Sequence, residues 1–271
     1  MTQRFTKRFE TLRAKNEGAF VPFVTLCDPD KETSVQILAT LIESGADALE
    51  LGFPFSDPCA DGPAIQNADK RALSNHTSTS DMFEVVARIR AISPDTPLSC
   101  LVYSNVVYAR GIEKFFRDAA QSGLDAVLIP DIPVEMIHTC GDFEKQAEKA
   151  GVGLVLIAPP NAKKGRLAQI AAHTHGYTYV VSRYGTTGTE TTSGHQGNIL
   201  HELSALKAPP SLLGFGISKP EHVSQALEDG ASGAIAGSAC VKIIAEHLND
   251  KTAMLEALGR YVQEMKAATR K

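Results

Sequence analysis

The chain has 271 residues, 43% hydrophobic and 21% charged, with a net charge of −4, the balance of an ordinary globular protein. No basic patch suits nucleic acid, and no apolar run approaches the roughly 18 residues that a membrane span needs. The five cysteines are odd in number and lack a CxxC pair, which predicts reduced thiols and a cytoplasmic protein rather than a disulfide frame or a zinc site.

The opening stretch, MTQRFTKRFETL, lacks the apolar core of a signal peptide. Phe5, Phe9 and Leu12 mark one face of a short N-terminal helix instead. A unit then recurs along the chain: a helical segment ends in glycine, two or three residues follow, and a short apolar run begins. ESGADALELG, QSGLDAVLIP, KAGVGLVLIA and EDGASGAIAG are examples, with Gly45, Gly123, Gly151 and Gly230 at the left-handed position that ends a helix. The predicted strands are 20–26, 48–52, 97–103, 126–130, 153–158, 177–182, 211–215 and 233–236. They lack strict alternation, as expected of parallel strands covered on both faces. Eight such βα units in about 250 residues predict an α/β chain folded as one (β/α)8 TIM barrel domain over 1–271, with a doubly wound open sheet as the alternative.

In a barrel the active site lies at the C-terminal ends of the strands. Glu50 stands there among Ala48, Leu49 and Leu51, and Asp61 follows in the next loop. A carboxylate among apolar barrel residues is expected to have a raised pKa and to exchange protons near neutrality. Asp61, in a polar loop, is expected to stay ionised and hold a developing positive charge. Asp57 reads either as a loop cap or as a contact to a partner protein.

The seventh predicted strand ends in GFGIS and the eighth in AGSA ahead of a helix, which places Gly216, Gly237 and Ser238 where a barrel often binds phosphate. The long stretch Ser182–Asn198 is expected to be a lid, with Gly188 adding a phosphate-binding amide. No predicted strand contains a lysine, which disfavours a Schiff base. No metal site is expected, because the only close histidine pair, His173 and His175, precedes the sixth strand. His138, His195 and His222 read as isolated surface residues.

FVPFVTLCDP, ALELGFPFSDPCADGPAIQNA, VLIPDIPVEM, GYTYVVSRYGTTG and GFGIS…AIAGSA closely resemble the tryptophan synthase α-subunit family, from about Phe9 through the last helix. The resemblance implies retro-aldol cleavage of indole-3-glycerol phosphate to indole and glyceraldehyde 3-phosphate. Glu50 would be the general acid/base, Asp61 would hold the indole N–H, and Tyr179 would pack beside Glu50. Phe23, Leu101, Leu128 and Phe215 would sandwich the indole, and Gly188, Gly216, Gly237 and Ser238 would bind phosphate. It further implies an α2β2 heterotetramer with a β subunit that carries pyridoxal phosphate, no cofactor in this chain, and a partner-facing role for Asp57 and Thr187. The sequence departs from the family pattern at Cys27, where glycine is usual, at Cys59, and at Tyr184 and Thr186 in the lid. The rival readings are a stand-alone lyase, another phosphate-binding barrel such as a sugar-phosphate isomerase, and a scaffold that only activates its partner.

Overall fold

A computed structural model describes residues 3–181 and 196–270. The chain opens with α1 (Gln3–Ala14) and then runs β1 (Ala19–Thr25), α2 (Lys31–Glu43), β2 (Leu49–Gly52), α3 (Pro63–Ser74) and α4 (Thr79–Ile92). The middle holds β3 (Leu98–Leu101), α5 (Ser104–Arg110), α6 (Ile112–Ser122), β4 (Ala126–Leu128), α7 (Phe143–Ala150), β5 (Gly153–Val155), β6 (Ile157–Ala158) and α8 (Lys164–His173). The remainder is β7 (Thr178–Val181), α9 (Gln196–Ala205), β8 (Ser211–Gly214), α10 (Pro220–Glu228), β9 (Gly233–Ala236), α11 (Ser238–Glu246) and α12 (Lys251–Ala267).

The four helix-ending glycines all take positive φ, from 75° to 107°, which a residue without Cβ adopts without strain. Other helices are started by side chains. The Asp30 carboxylate accepts the Thr33 N–H at α2, and Ser78 with Asp81 forms a capping box at α4.

All strand pairs are parallel, in the order β5-β4-β3-β2-β1-β9-β8-β7-β6. The fifth predicted strand is two short ones. The Leu156 N–H turns aside to the Thr174 hydroxyl at 3.0 Å, so β5 pairs with β4 while β6 pairs with β7. The two pieces are consecutive in the chain, and the sheet closes on itself through Leu156. Pro22, which has no N–H for a ladder, stands where β1 passes from pairing with β9 to pairing with β2.

Alternation along the strands divides the apolar side chains into two layers. Phe20, Val24, Leu49 and Leu51 face the surrounding helices, whereas Ala19, Val21, Phe23, Ala48, Ala126 and Leu128 fill the barrel interior. Helix α1 supplies Phe5, Phe9 and Leu12 to that interior. The Phe5 ring lies 5.3 Å from that of Tyr177. Arg4 binds Asp125 at 2.9 Å, and Asp125 in turn accepts the N–H of Leu98, the first residue of β3. Helix α1 therefore plugs the end of the barrel at which the strands begin.

Candidate active site

Ala48 belongs to the interior layer and Leu49 and Leu51 to the outer one, so the two-residue period of β2 carries Glu50 inward. Its register sets it between Phe23 of β1 and Ser99 of β3. Glu50 is 1% exposed and, among the described residues, forms no ion pair. Arg71, the nearest arginine in sequence, is taken by Asp28, which it grips through two hydrogen bonds of 2.8 and 2.7 Å. The partner of Glu50 is Tyr177, whose hydroxyl donates to Oε1 at 2.7 Å and also pairs with the Ser99 hydroxyl at 3.1 Å. Burial pushes the Glu50 carboxyl up to about 7, against the Tyr177 hydrogen bond and with help from the charge of Asp61. A group poised there can give and take a proton under ordinary conditions.

Asp61 is held by Tyr103, whose hydroxyl donates to Oδ2 at 2.9 Å while accepting the Ala60 N–H at 3.0 Å. The loop composition suggested a solvated acid. The structure half-buries it, and desolvation raises its pKa against the Tyr103 hydrogen bond. A second buried acid, Asp69 on α3, is pushed up to about 8 by desolvation and then by the neighbouring charge of Asp61.

One cavity collects most of the expected site. Phe23, Glu50, Asp61, Leu101, Tyr179, Phe215, Gly216, Gly237 and Ser238 all line it. Gly214 leaves room for the Tyr179 ring, since a Cβ there would fall 2.2 Å from the tyrosine hydroxyl. Phe215 and Gly216 both take positive φ, 71° and 78°. That turn is strained for a bulky residue, and strain of this kind gathers at functional sites. Gly237 and Ser238 open α11, so backbone N–H groups that the helix itself cannot pair, and its positive end, serve this side of the cavity, as an anion requires.

The other expected residues lie outside the cavity or outside the described residues, and the reading of one histidine changes. Leu128 is fully buried in the barrel interior but does not line the cavity. Asp57 is exposed, takes a hydrogen bond from Ser56 and lies outside the cavity wall. Thr187, Gly188, His195 and the greater part of the expected lid lie outside the described residues. His138 is not isolated, because its ring meets that of His173 at 5.3 Å. Tyr177 and Tyr103 were not singled out from sequence. Both had a signal: Tyr177 shares the inward face with Tyr179, and Tyr103 sits at the C-terminal end of a predicted strand.

A family profile described as "Tryptophan synthase alpha chain" matches residues 9–270. The tryptophan synthase alpha chain of Vibrio vulnificus (strain YJ016) is 51% identical over 269 residues, covering 99% of each chain. That of Francisella tularensis (strain SCHU S4 / Schu 4) is 49% identical over 270 residues, again covering 99% of each. Among solved structures, tryptophan synthase subunit alpha from Legionella pneumophila (strain Paris) superposes with a TM-score of 0.89 at 31% identity, covering 98% of both chains. A chain of the tryptophan synthase complex of Pyrococcus furiosus does so with a TM-score of 0.80 at 34% identity, covering 92% of this chain and 98% of that one. The chain belongs to the tryptophan synthase alpha chain family.

Proposed function

We propose that Glu50 is the proton carrier in cleavage of indole-3-glycerol phosphate, the lyase reaction of this family. The carrying observation is the buried carboxyl of Glu50, raised to about 7 and sharing a cavity with a second acid, Asp61. Glu50 in its acid form protonates C3 of the indole ring. The positive charge that grows on the ring is met at the ring N–H by the Asp61 carboxylate. The bond from C3 to the glyceryl carbon then breaks, and its electron pair restores the aromatic ring. The glyceryl hydroxyl becomes the carbonyl of glyceraldehyde 3-phosphate and returns its proton to Glu50. Indole and the aldehyde are the only products, so atoms and protons balance.

Tyr179 borders the reacting carbons, Phe23, Leu101 and Phe215 hold the ring, and Gly216, Gly237 and Ser238 anchor the phosphate. Gly188 of the lid adds an amide. Every step uses side chains of this chain, folded as one barrel domain in the cytoplasm, and needs no cofactor here. The partner is the tryptophan synthase β subunit, in an α2β2 assembly whose β chain holds pyridoxal phosphate and consumes the indole. Asp57, which is exposed, and Thr187 are the residues assigned to contact with that partner.

The test is indole release from indole-3-glycerol phosphate by wild type, Glu50→Gln and Asp61→Asn, each alone and with the β subunit. Glu50→Gln should lose at least about 10²-fold in kcat with little change in KM, as removal of a positioned acid/base does. No indole from wild type with its partner would overturn the substrate assignment and favour another phosphate-binding barrel reaction. Full activity in Glu50→Gln would remove this residue from the chemistry.

A further inference from the structure

Outside the cavity, three segments of the outer layer bring metal-binding side chains to one point. His138 follows the turn Val134–Met136, Glu144 lies in the first turn of α7, and His173 is the last residue of α8. His173 Nδ1 lies 2.9 and 3.1 Å from the two Glu144 oxygens. His138 Nε2 lies 3.3 Å from Oε2 of the same carboxylate. One donor atom from each residue falls within 4.8 Å of the others. Donors bound about 2.0–2.1 Å from a tetrahedral zinc ion stand roughly 3.3 Å apart, so the two imidazole–carboxylate separations already suit neighbouring positions around such an ion. The Asp142 carboxylate, 3.6 Å from His138 Nδ1, stands beside the cluster.

The chemistry of the donors also suits a metal cation. Among the described residues the only ionic partners of Glu144 are these two imidazoles, and no lysine or arginine bridges to it. Two imidazoles converging on one carboxylate are the donor types that zinc sites use. We infer that His138, Glu144 and His173 form a binding site for a divalent transition metal, zinc first among them, with a fourth position left for water and with Asp142 orienting the His138 ring from its Nδ1 side. Imidazole with carboxylate suits zinc, nickel and copper rather than calcium or magnesium. None of the three residues lines the catalytic cavity. The metal would be a brace that ties the start of α7 to the end of α8, and this inference stands independently of the reaction.

The experiment is zinc titration of the full-length, untagged chain after chelator treatment, followed by calorimetry and by the melting temperature. Wild type should show one saturable site in the micromolar range and a rise in Tm with zinc. His138→Ala, His173→Ala and Glu144→Gln should each weaken binding at least about tenfold, the lower bound seen even for residues that only support a ligand. The same variants should abolish the Tm rise, while His222→Ala and Cys59→Ser leave both unchanged. The three side chains are exposed or half-buried, so their truncation spares the core, and circular dichroism verifies the fold. Zinc-edge anomalous diffraction from a soaked crystal should place the ion on all three side chains. Absence of saturable binding at millimolar zinc, or binding that survives all three substitutions, would overturn the inference.

Discussion

At the scale of single residues, the cavity turns on how one carboxyl is kept without a cation. Tyr177 is the only side chain hydrogen-bonded to Glu50 among the described residues, and its hydroxyl favours the charged form. Tyr177→Phe should therefore move the Glu50 inflection in the pH profile of kcat upward from about 7 and lower kcat several-fold, with KM little affected. An unmoved inflection would show that the hydrogen bond does not tune the acid. The place of Glu50 was legible because alternation from Ala48 to Leu51 leaves one face for it. Its partner was not, since Tyr177 arrives from 127 residues away, and no local pattern encodes such a pairing. Leu128 shows the same limit. Alternation correctly sends it inward with Ala126, but how deep an inward residue sits relative to the cavity depends on the stagger of the strands. Cys27 is a further case: it takes φ of +63° where the family usually has glycine, a position that a side chain occupies under strain.

At the scale of elements, the plug made by α1 and the knot around Arg90 stabilise the end opposite the cavity mouth. The Phe5 side chain is 1% exposed and packs on Tyr177, so Phe5→Ala should reduce stability by about 3–5 kcal/mol. It should also slow indole formation by loosening the ring that holds Glu50. Arg90 donates to the carbonyls of Ser93, Pro94, Thr96 and Gly123 and to Asp125. Removing that mostly buried guanidinium takes the donor from four carbonyls and leaves Asp125 to Arg4 and the Leu98 N–H, so Arg90→Ala should cost about 3 kcal/mol. Arg4 meets the same aspartate with its side chain 39% exposed, and Arg4→Ala should cost less than about 1 kcal/mol. Urea unfolding of the three variants checks this order. Element types were readable from periodicity and from the closing glycines, but the break in the fifth strand was not. It depends on the Thr174 hydroxyl, which lies beyond the intervening helix.

At the scale of the whole molecule, the raised acids link stability to pH. The Glu50 carboxyl rises from 4.5 to about 7 on folding. Below the lower value both states hold the proton. Between the two the unfolded chain ionises while the folded one resists, so stability falls as pH rises, and above about 7 the deficit is constant. That deficit is on the order of 3 kcal/mol, and Asp69, raised to about 8, acts in the same direction. Glu50→Gln retains an acceptor for Tyr177 but has no charge to bury. It should therefore be more stable than wild type at pH 8 by far more than at pH 4, as urea titrations at the two values would show. Equal differences at both would mean that burial does not govern this carboxyl.

The pairing of β1 with β9 on one side and β2 on the other also bears on how the protein is born. Synthesis delivers β1 and β2 early and β9 only after more than two hundred residues. Until then the flank of β1 that will meet β9 has no strand to bind, and it offers open backbone groups to any chain nearby. The nascent protein thus leaves the ribosome with an unclosed seam for most of its synthesis. A message truncated before Gly233 would leave that seam open for good, and its product would be a target for chaperones or aggregation.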